Sequence, residues 1–205
     1  MKAKIKNGKY RKPIQPDGNS LVAKVVLDMA MSLDGFIAGP NDEDYGLHNY
    51  FFSPSRPTRK VIEEGFKTTG TIIMGRRAYD VGAAQDGFAD NPYQVPTFIL
   101  THHVPQRPAK GAESFIFVTE GIESALEQAK AVSGNRHVVI GGGARIAQQY
   151  LKAGLLDEIQ IHLVHTLIGE GIRLFEPMGA DQIELERNRV IEGSGVTHLR
   201  FQVVR

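Results

Sequence analysis

Three consecutive glycines, Gly141, Gly142 and Gly143, follow an apolar run at residues 138–140 and precede a helical pattern that begins at Ala144. Glycine lets the backbone approach a ligand closely, and the free N–H groups at a helix start favour an anion, so a diphosphate is the natural guest. A tight turn that needs positive φ is the alternative, although one glycine would satisfy it. The spacing matches neither G-x-G-x-x-G, whose last glycine is replaced by Ile146, nor a P-loop.

Two other strand ends carry groups that suit phosphate. An apolar run at residues 72–74 ends in Gly75, Arg76 and Arg77, and another at residues 98–100 ends in Thr101 and two histidines. Guanidinium groups match phosphate oxygens, although paired arginines on a first helical turn are commonly just solvated. These two loops contain no acid. Adjacent side chains in a strand point apart, and no carboxylate follows closely, so we expect no metal site.

A fourth junction, Met29 to Gly39, holds Asp34 before a glycine. A carboxyl group there could orient a substrate or relay a proton, which makes Asp34 the candidate catalytic residue. The alternative is that Asp34 only shapes an Asp-Gly turn, and both interpretations stay open. We expect residues 32–44 to form a loop over a pocket. His48, on the same loop, and His162, on a later strand, are candidates for the substrate pocket.

Hydrophobic patterns place these groups at the ends of strands. Leu21 to Met31 is apolar and rich in valine, which predicts a buried strand, and short β-rich runs precede the other junctions. Helical patterns over Arg56 to Thr68 and Ile122 to Val132 alternate with these strands. Residues 182–191 and 196–204 predict a hairpin. We therefore expect an α/β fold with a mainly parallel central sheet, helices on both faces and a C-terminal antiparallel hairpin. Ligands bind such sheets at the carboxyl ends of the strands.

Composition argues for one globular domain. The chain has 205 residues, of which 41% are hydrophobic, and a formal net charge of +1. Residues 1–20 form a basic extension, and we expect a single domain over residues 21–205. The small net charge predicts no nucleic-acid partner, and no apolar run reaches the ~20 residues of a membrane helix. Cysteine is absent, which excludes disulfides and thiolate metal sites and favours a cytoplasmic location.

The four junctions together resemble one family. AMSLDGFIA at residues 30–38, MGRR at 74–77, ILT at 99–101 and IGGG at 140–143 resemble dihydrofolate reductase in their order and spacing. With LDEI at 156–159 and LIGEGIRLF at 167–175, the details are closer to the C-terminal reductase domain of riboflavin biosynthesis proteins, RibD. The resemblance covers roughly residues 21–205. It implies the dihydrofolate reductase-like three-layer fold.

The resemblance also implies a cofactor, NADPH, lying across the ends of the parallel strands. Ala30 and Ile37 would flank the nicotinamide, and Thr101 and His102 would lie near the adenine ribose. The remaining implied contacts are with the phosphates and the adenosine end, from Gly75, Arg76 and Arg77, and with the diphosphate, from Gly141, Gly142, Gly143, Ala144, Arg145 and Ile146. Ile140 and Ile146 would also keep water from the hydride.

The sequence departs from the family pattern in places. Ala78 stands where the family usually has threonine or serine, which removes one phosphate contact. No acid lies between Gly46 and Arg59, so the acid-bearing helix of dihydrofolate reductases is not identifiable, and tryptophan is absent. These departures argue against folate itself as the substrate.

The implied function is that of an NADPH-dependent reductase. It would transfer hydride to a carbonyl or imine of a small heterocycle or sugar, similar to 5-amino-6-(5-phosphoribosylamino)uracil reductase or dihydrofolate reductase. A nucleotide-binding module without turnover is the alternative, because it would share every phosphate-binding feature. A phosphate-ester enzyme would need metal carboxylates near the glycines, and none stands out. The resemblance further predicts a homodimer, which the apolar C-terminal strands could support.

Overall fold

The computed structural model describes residues 23–85, 87–113, 115–176 and 182–204. The basic extension predicted at residues 1–20 lies outside the described residues. In the described part, the strands are β1 Val25–Ser32, β2 Phe36–Ala38, β3 Thr69–Gly75, β4 Thr97–Leu100, β5 Ile116–Val118, β6 His137–Ile140, β7 Glu158–Val164, β8 Ile172–Arg173, β9 Leu185–Gly193 and β10 Val196–Val203. The helices are α1 Asn49–Phe52, α2 Arg56–Thr68, α3 Arg76–Ala84, α4 Ile122–Ser133 and α5 Ala144–Lys152.

Eight of these strands form one sheet in the order β5-β4-β3-β6-β1-β7-β10-β9. The six strands from β5 to β7 pair in parallel, whereas β10 runs antiparallel to both β7 and β9. The predicted parallel sheet with a C-terminal antiparallel hairpin is therefore confirmed. Residues 32–44 are not wholly a loop as expected, because β2 lies within them and pairs with β8 in a separate two-stranded sheet.

Helices cover both faces of the sheet. On one face α4 and α5 pack against β1, β3 and β6 around the fully buried Leu27, Ile73 and Tyr150. On the other face, Tyr79 of α3 packs against Ile99 of β4, and α2 packs against the hairpin. Among the described residues, no helix combines the length and the apolar character needed to cross a membrane.

The cavity-facing positions of the central strands follow from strand alternation. Phe98 points to the α4 face and its neighbour Ile99 to the α3 face, because successive side chains in a strand point to opposite sides. The same alternation on β1 buries Leu27 under α4 and α5 and turns Asp28 and Ala30 to the opposite side. Between α2 and α3, that opposite side is open.

Candidate active site

A cavity of about 940 Å³ lies over the carboxyl halves of the central strands, bordered by α2 and α3. Its volume is in the range of sites that hold a cofactor or a drug-sized ligand. Alternate residues of four neighbouring strands form its floor, namely Ile72 and Met74, Val139 and Gly141, Asp28 and Ala30, and Gln160 and His162. The floor is therefore apolar except where β1 and β7 contribute Asp28, Gln160 and His162.

Two helices begin at this cavity. Gly75 and Gly143 are the N-cap residues of α3 and α5, and neither helix has a side-chain hydrogen bond at its cap. The first N–H groups of both helices are therefore left for a ligand, and their partial positive charge favours an anion. Arg76 and Arg145, in the first turns of these helices, also line the cavity. The residues present fit the diphosphate of a dinucleotide.

The glycines at residues 141–143 serve both the packing of the turn and the access of a ligand to the backbone. A Cβ on Gly142 would lie 3.0 Å from the Cβ of Ala78 and 3.3 Å from the Cβ of Met74, and Gly143 has φ of +87°. The Gly75 N–H donates a hydrogen bond to the Gly142 carbonyl oxygen at 3.0 Å. Two glycines are thus required by the turn itself. Gly141 is exposed at the cavity and leaves its backbone accessible to a ligand.

The ends of β3 and β4 are joined by Arg76. Its guanidinium group donates to the Thr101 hydroxyl at 3.3 Å, to the His103 carbonyl oxygen at 2.6 Å and to the Asp80 carboxylate at 2.7 Å. The loops contain no acid, but the fold brings one to each arginine, because Arg77 donates two hydrogen bonds to Asp42 at 2.8 and 3.1 Å. Both arginines at this corner are therefore paired with carboxylates, Arg76 with a residue of its own helix and Arg77 with a residue of the loop after β2.

The ion pair of Arg77 and Asp42 connects the loop after β2 to α3 at the rim of the cavity. The Arg77 side chain is 62% exposed, and the neighbouring carboxylate raises its pKa further above the ordinary arginine range. Surface ion pairs of this kind contribute little to stability. In this structure Arg77 is paired with Asp42, and Arg76 is paired with Asp80 and also lies beside the hydroxyl of Thr101.

At the opposite border of the cavity, Asp28 presents a carboxylate from the middle of β1. The register of β1 and β7 sets Asp28 opposite Gln160 and Ala30 opposite His162. Asp28 accepts hydrogen bonds from the Gln160 amide at 3.0 Å and from Nε2 of His162 at 2.8 Å. The Asp28 side chain is 20% exposed, and it lines the cavity. An acid group is thus fixed in place on an otherwise largely apolar floor.

Behind Asp28, His162 contacts a second buried histidine. The Nδ1 atoms of His162 and His198 are 2.6 Å apart, and Nε2 of His198 lies 3.1 Å from the Thr58 hydroxyl. The Tyr50 ring contacts both imidazoles, tilted to that of His162 and edge-on to that of His198, with centroid distances of 5.1 and 5.7 Å. Burial, reinforced by His162, lowers the pKa of His198 to about 4. His198 is therefore a neutral imidazole at neutral pH.

Aromatic side chains form the wall around the carboxylate. Tyr50, Phe51 and Tyr93 line the cavity beside α2, and the Tyr93 ring packs against Phe66 with a centroid distance of 4.8 Å. Burial, followed by the charge of Asp28, raises the pKa of both tyrosines well above the ordinary range, so both remain neutral phenols. Such walls suit a flat ring held by dispersion, with few polar groups to orient it.

Asp34, the candidate catalytic residue from the sequence, is not among the residues that line the cavity. Its carboxylate accepts hydrogen bonds from the Ser32 hydroxyl at 2.6 Å and from the backbone N–H groups of Ile168 and Gly169 at 3.1 and 2.7 Å. The Ser32 hydroxyl, and then these amides, lower the pKa of Asp34 to about 2. The geometry favours the turn interpretation, because the carboxylate is ionised and fully used in anchoring two loops.

Three residues that the resemblance assigned to cofactor binding are not among those that line the cavity. Ile140 and Ile146 are in the core under the glycine turn, and Gly75 faces Ile146 and Gly142. Their placement suits support of the turn and not direct contact with a ligand. The predicted residues that do line the cavity are Ala30, Ile37, His48, Arg76, Arg77, Thr101, His102, Gly141, Gly142, Gly143, Ala144, Arg145 and His162.

His48 belongs to the rim and not to the floor. Its ring nitrogen contacts the carboxylate of Asp44, and its side chain is more than half exposed. Sequence reasoning missed Asp28 and His198. The signal for Asp28 was a single acid within an otherwise apolar strand. No group of three or more potential metal ligands is clustered anywhere in the part of the chain that the structure describes.

Comparison with known proteins agrees with this architecture. Protein YwjB of Bacillus subtilis (strain 168), whose function is uncharacterised, is 28% identical over 156 residues, which cover 76% of this chain and 84% of YwjB. The crystal structure of a protein from Shewanella sp. PV-4 named for riboflavin biosynthesis is similar with a TM-score of 0.72 and 22% identity, covering 89% of this chain and 99% of that one.

Dihydrofolate reductase from Enterococcus faecalis, solved as a complex with NADP(H), is similar with a TM-score of 0.56 and 16% identity, over 89% of this chain and 97% of that one. The fold is therefore that of a dihydrofolate reductase-like α/β protein. The RibD C-terminal domain family matches residues 23–199. The chain belongs to the RibD C-terminal domain family.

Proposed function

We propose that this protein is an NADPH-dependent reductase that reduces a C=N or C=O bond of a small heterocyclic substrate. The observation that carries the proposal is that one cavity joins two uncapped helix starts to a fixed carboxylate between aromatic walls. The membership of the RibD C-terminal domain family and the fold shared with dihydrofolate reductase support reductase-type chemistry.

In this proposal, the helix starts and arginines bind the cofactor. The N–H groups after Gly143 and Gly75 bind the diphosphate, and Arg76 with Thr101 binds the phosphate of the adenosine ribose. Ala30 and Ile37 lie at the lining of the cavity near β1 and flank the nicotinamide. NADPH, when bound, supplies the hydride. The protein supplies position, a dry floor and a proton.

In this proposal, Asp28 donates the proton that the reduction requires. When the carbon of a C=N or C=O bond receives hydride, the adjoining nitrogen or oxygen gains electron density and must be protonated. Asp28 is the carboxyl group fixed at the cavity floor, and Gln160 and His162 hold it there through both of its oxygens. Asp34, in the turn that follows the same strand, faces two loop amides instead.

The lining also favours a substrate without phosphate. Among the residues that the structure describes, the arginines that line the cavity belong to α3 and α5, and the groups that touch or face Asp28 are amide, imidazole and phenol. A phosphorylated substrate would require cations beside the aromatic walls. We therefore propose an uncharged planar heterocycle, held between Tyr50 and Tyr93 and hydrogen-bonded to Asp28.

The test is a screen in which NADPH oxidation is followed by absorbance while small heterocyclic imines and carbonyls are supplied, each with and without a ribosyl phosphate. Turnover of at least one unphosphorylated compound, lost in Asp28→Asn, is the expected result. NADPH binding without turnover across the whole screen would make the protein a nucleotide-binding module. Preferential turnover of the phosphorylated partner of a pair would overturn the assignment of the substrate class alone.

A further inference from the structure

Asp28 is the inner end of a continuous chain of hydrogen bonds that runs under α2. His162 lies 2.8 Å from Asp28, His198 lies 2.6 Å from His162, and the Thr58 hydroxyl lies 3.1 Å from His198. The Ser55 hydroxyl then lies 3.0 Å from the Thr58 hydroxyl. The middle of this chain is buried, with Thr58 at 1% and His198 at 4% exposure, whereas Ser55 is only half-buried.

The carboxylate of Asp28 fixes the direction of every hydrogen bond in the chain. A carboxylate at Asp28 only accepts, so Nε2 of His162 carries a hydrogen and, in a neutral ring, Nδ1 of His162 is an acceptor. Nδ1 of His198 must then donate across the 2.6 Å contact, which leaves its Nε2 as an acceptor. The Thr58 hydroxyl donates to that nitrogen, and its oxygen accepts from Ser55. All the donors therefore point toward the cavity.

We propose that Ser55, Thr58, His198 and His162 form a proton relay that recharges Asp28 from solvent after each turnover. Resting on the proposed reductase function, the relay supplies the proton that accompanies hydride. A proton that arrives at Ser55 shifts each hydrogen one link inward, and the last one moves from His162 to Asp28. The resulting carboxylic acid donates that proton to the substrate nitrogen or oxygen, which returns Asp28 to a carboxylate and leaves hydrogen on Nδ1 of His162 and on Nε2 of His198. When product leaves, a proton from water in the open cavity binds Nε2 of His162 and each hydrogen moves one link outward, which restores the starting arrangement.

The surrounding packing keeps the relay intact. A Cβ on Gly193 would lie 2.2 Å from the Thr58 hydroxyl, so the glycine of the β9–β10 hairpin makes room for this link. Ser194, in the hairpin turn, donates its N–H to the Ser55 oxygen at 3.4 Å. Tyr50 covers both imidazoles on the cavity side. Protons therefore have a path behind Tyr50 that does not require water to enter a site where hydride must be protected.

The charges around the two imidazoles suit transfer and not storage of a proton. Asp28 of β1 faces His162, and Arg189 of β9, which is paired with Glu64 of α2, acts electrostatically on His198, while Tyr50 and Thr58 are uncharged. Burial of His198, then His162 and Arg189, lower its pKa, and Asp28 opposes them in part. A proton that reaches His198 is therefore passed on and not retained.

The first test needs no substrate. Nitrogen-15 NMR of the histidine rings at neutral pH reports which ring nitrogen carries hydrogen. The expected result is hydrogen on Nδ1 of His198 and on Nε2 of His162, with both shifts changed in Thr58→Val. Hydrogen on Nδ1 of His162 would reverse the chain and overturn inward delivery. Because this readout is independent of turnover, it separates failure of the relay from failure of the proposed function.

The second test uses the substrate found in the screen. Thr58→Val retains the shape of the side chain and removes the hydroxyl link, whereas Thr58→Ser retains the link. We expect Thr58→Val to slow single-turnover reduction about ten- to a hundred-fold, with a larger solvent isotope effect and unchanged NADPH affinity, and Thr58→Ser to restore the rate. A merely structural role would lower the melting temperature of Thr58→Val and leave rate and isotope effect as in wild type, which would refute the relay.

Discussion

His198 lies directly opposite His162 on adjacent antiparallel strands, and their Nδ1 atoms are 2.6 Å apart. Directly opposed residues of a strand pair point to the same face, so this contact follows from register and not from any flexible loop. Because β7 also pairs with β1, the same cross-strand row continues to Ala30, and His162 reaches back to Asp28. Three strands thus fix the orientation of one carboxylate.

Replacing that carboxylate should separate binding from chemistry. Asp28→Asn keeps the size of the side chain but holds no transferable acidic proton, so we expect turnover to fall by about a hundred-fold or more. NADPH affinity, measured by fluorescence titration, should change less than about two-fold, because the phosphate contacts lie at α3 and α5.

Asp34→Asn is the matched control, since both acids come from the same strand and its following turn. This change weakens the hydrogen bonds to Ile168 and Gly169, so it should lower the melting temperature and leave the rate per folded molecule near wild type. A loss of turnover in Asp34→Asn equal to that in Asp28→Asn would return the catalytic role to Asp34.

Asp34 and Asp28 illustrate which parts of the site could be predicted from the sequence and which could not. The four strand ends, their glycines and their cations are local patterns, and the chain places nearly all of these residues at one cavity. Asp28 was marked only as an acid in an apolar strand, and its pairing with His162 and His198 depends on the register of β1, β7 and β10, whose partners are far apart in sequence and leave no local signal. The Asp80 partner of Arg76 is different, because its i+4 spacing on a helix was visible in the sequence.

His198 should make folding stability depend on pH. Its pKa is lowered from 6.5 to about 4, so the unfolded chain binds more protons than the folded one between these values. The free energy of unfolding should therefore fall as pH drops from about 6.5 to about 4, with no further loss from this group below that range. Urea titrations at several pH values would measure it.

A variant isolates the contribution of this histidine. His198→Asn removes the buried imidazole contacts, so its free energy of unfolding should be lower than that of the wild type at neutral pH. Because asparagine cannot gain a proton, that free energy should also depend less on pH between about 6.5 and about 4. His137, whose pKa is also lowered, chiefly by burial, is retained in both proteins and cancels in the comparison. Parallel pH profiles for wild type and His198→Asn would show that His198 is not the titrating group.

The outer strand of the hairpin supports the predicted homodimer. β9 is at the edge of the sheet, and apolar side chains on or near it are exposed, with Leu185 at 41% and Val190 at 44%. Exposed edges of this kind are commonly covered or paired. We expect light scattering at micromolar concentration to give twice the chain mass, and Val190→Glu to weaken the association. A monomer mass for the wild type would contradict the dimer.

NADPH and NADH differ by a phosphate on the adenosine ribose, and we expect this protein to prefer NADPH. Arg76, joined to Thr101 at the ends of β3 and β4, provides a cation and a hydroxyl at the expected position of that phosphate. A charged hydrogen bond contributes ~1.5–3 kcal/mol, so Arg76→Ala should weaken NADPH binding about ten- to a hundred-fold and NADH binding much less. Paired titrations with the two cofactors measure the difference.

Arg77→Ala is the matched control on the same helical turn. Arg77 is bound to Asp42 and is largely exposed, so its removal should change the preference for NADPH less than about three-fold. Because Arg76 also donates to Asp80 and to the His103 carbonyl oxygen, Arg76→Lys tests whether charge alone suffices. Equal affinities of the wild type for both cofactors, or equal weakening of both in Arg76→Ala, would show that this end of the cavity does not recognise the phosphate.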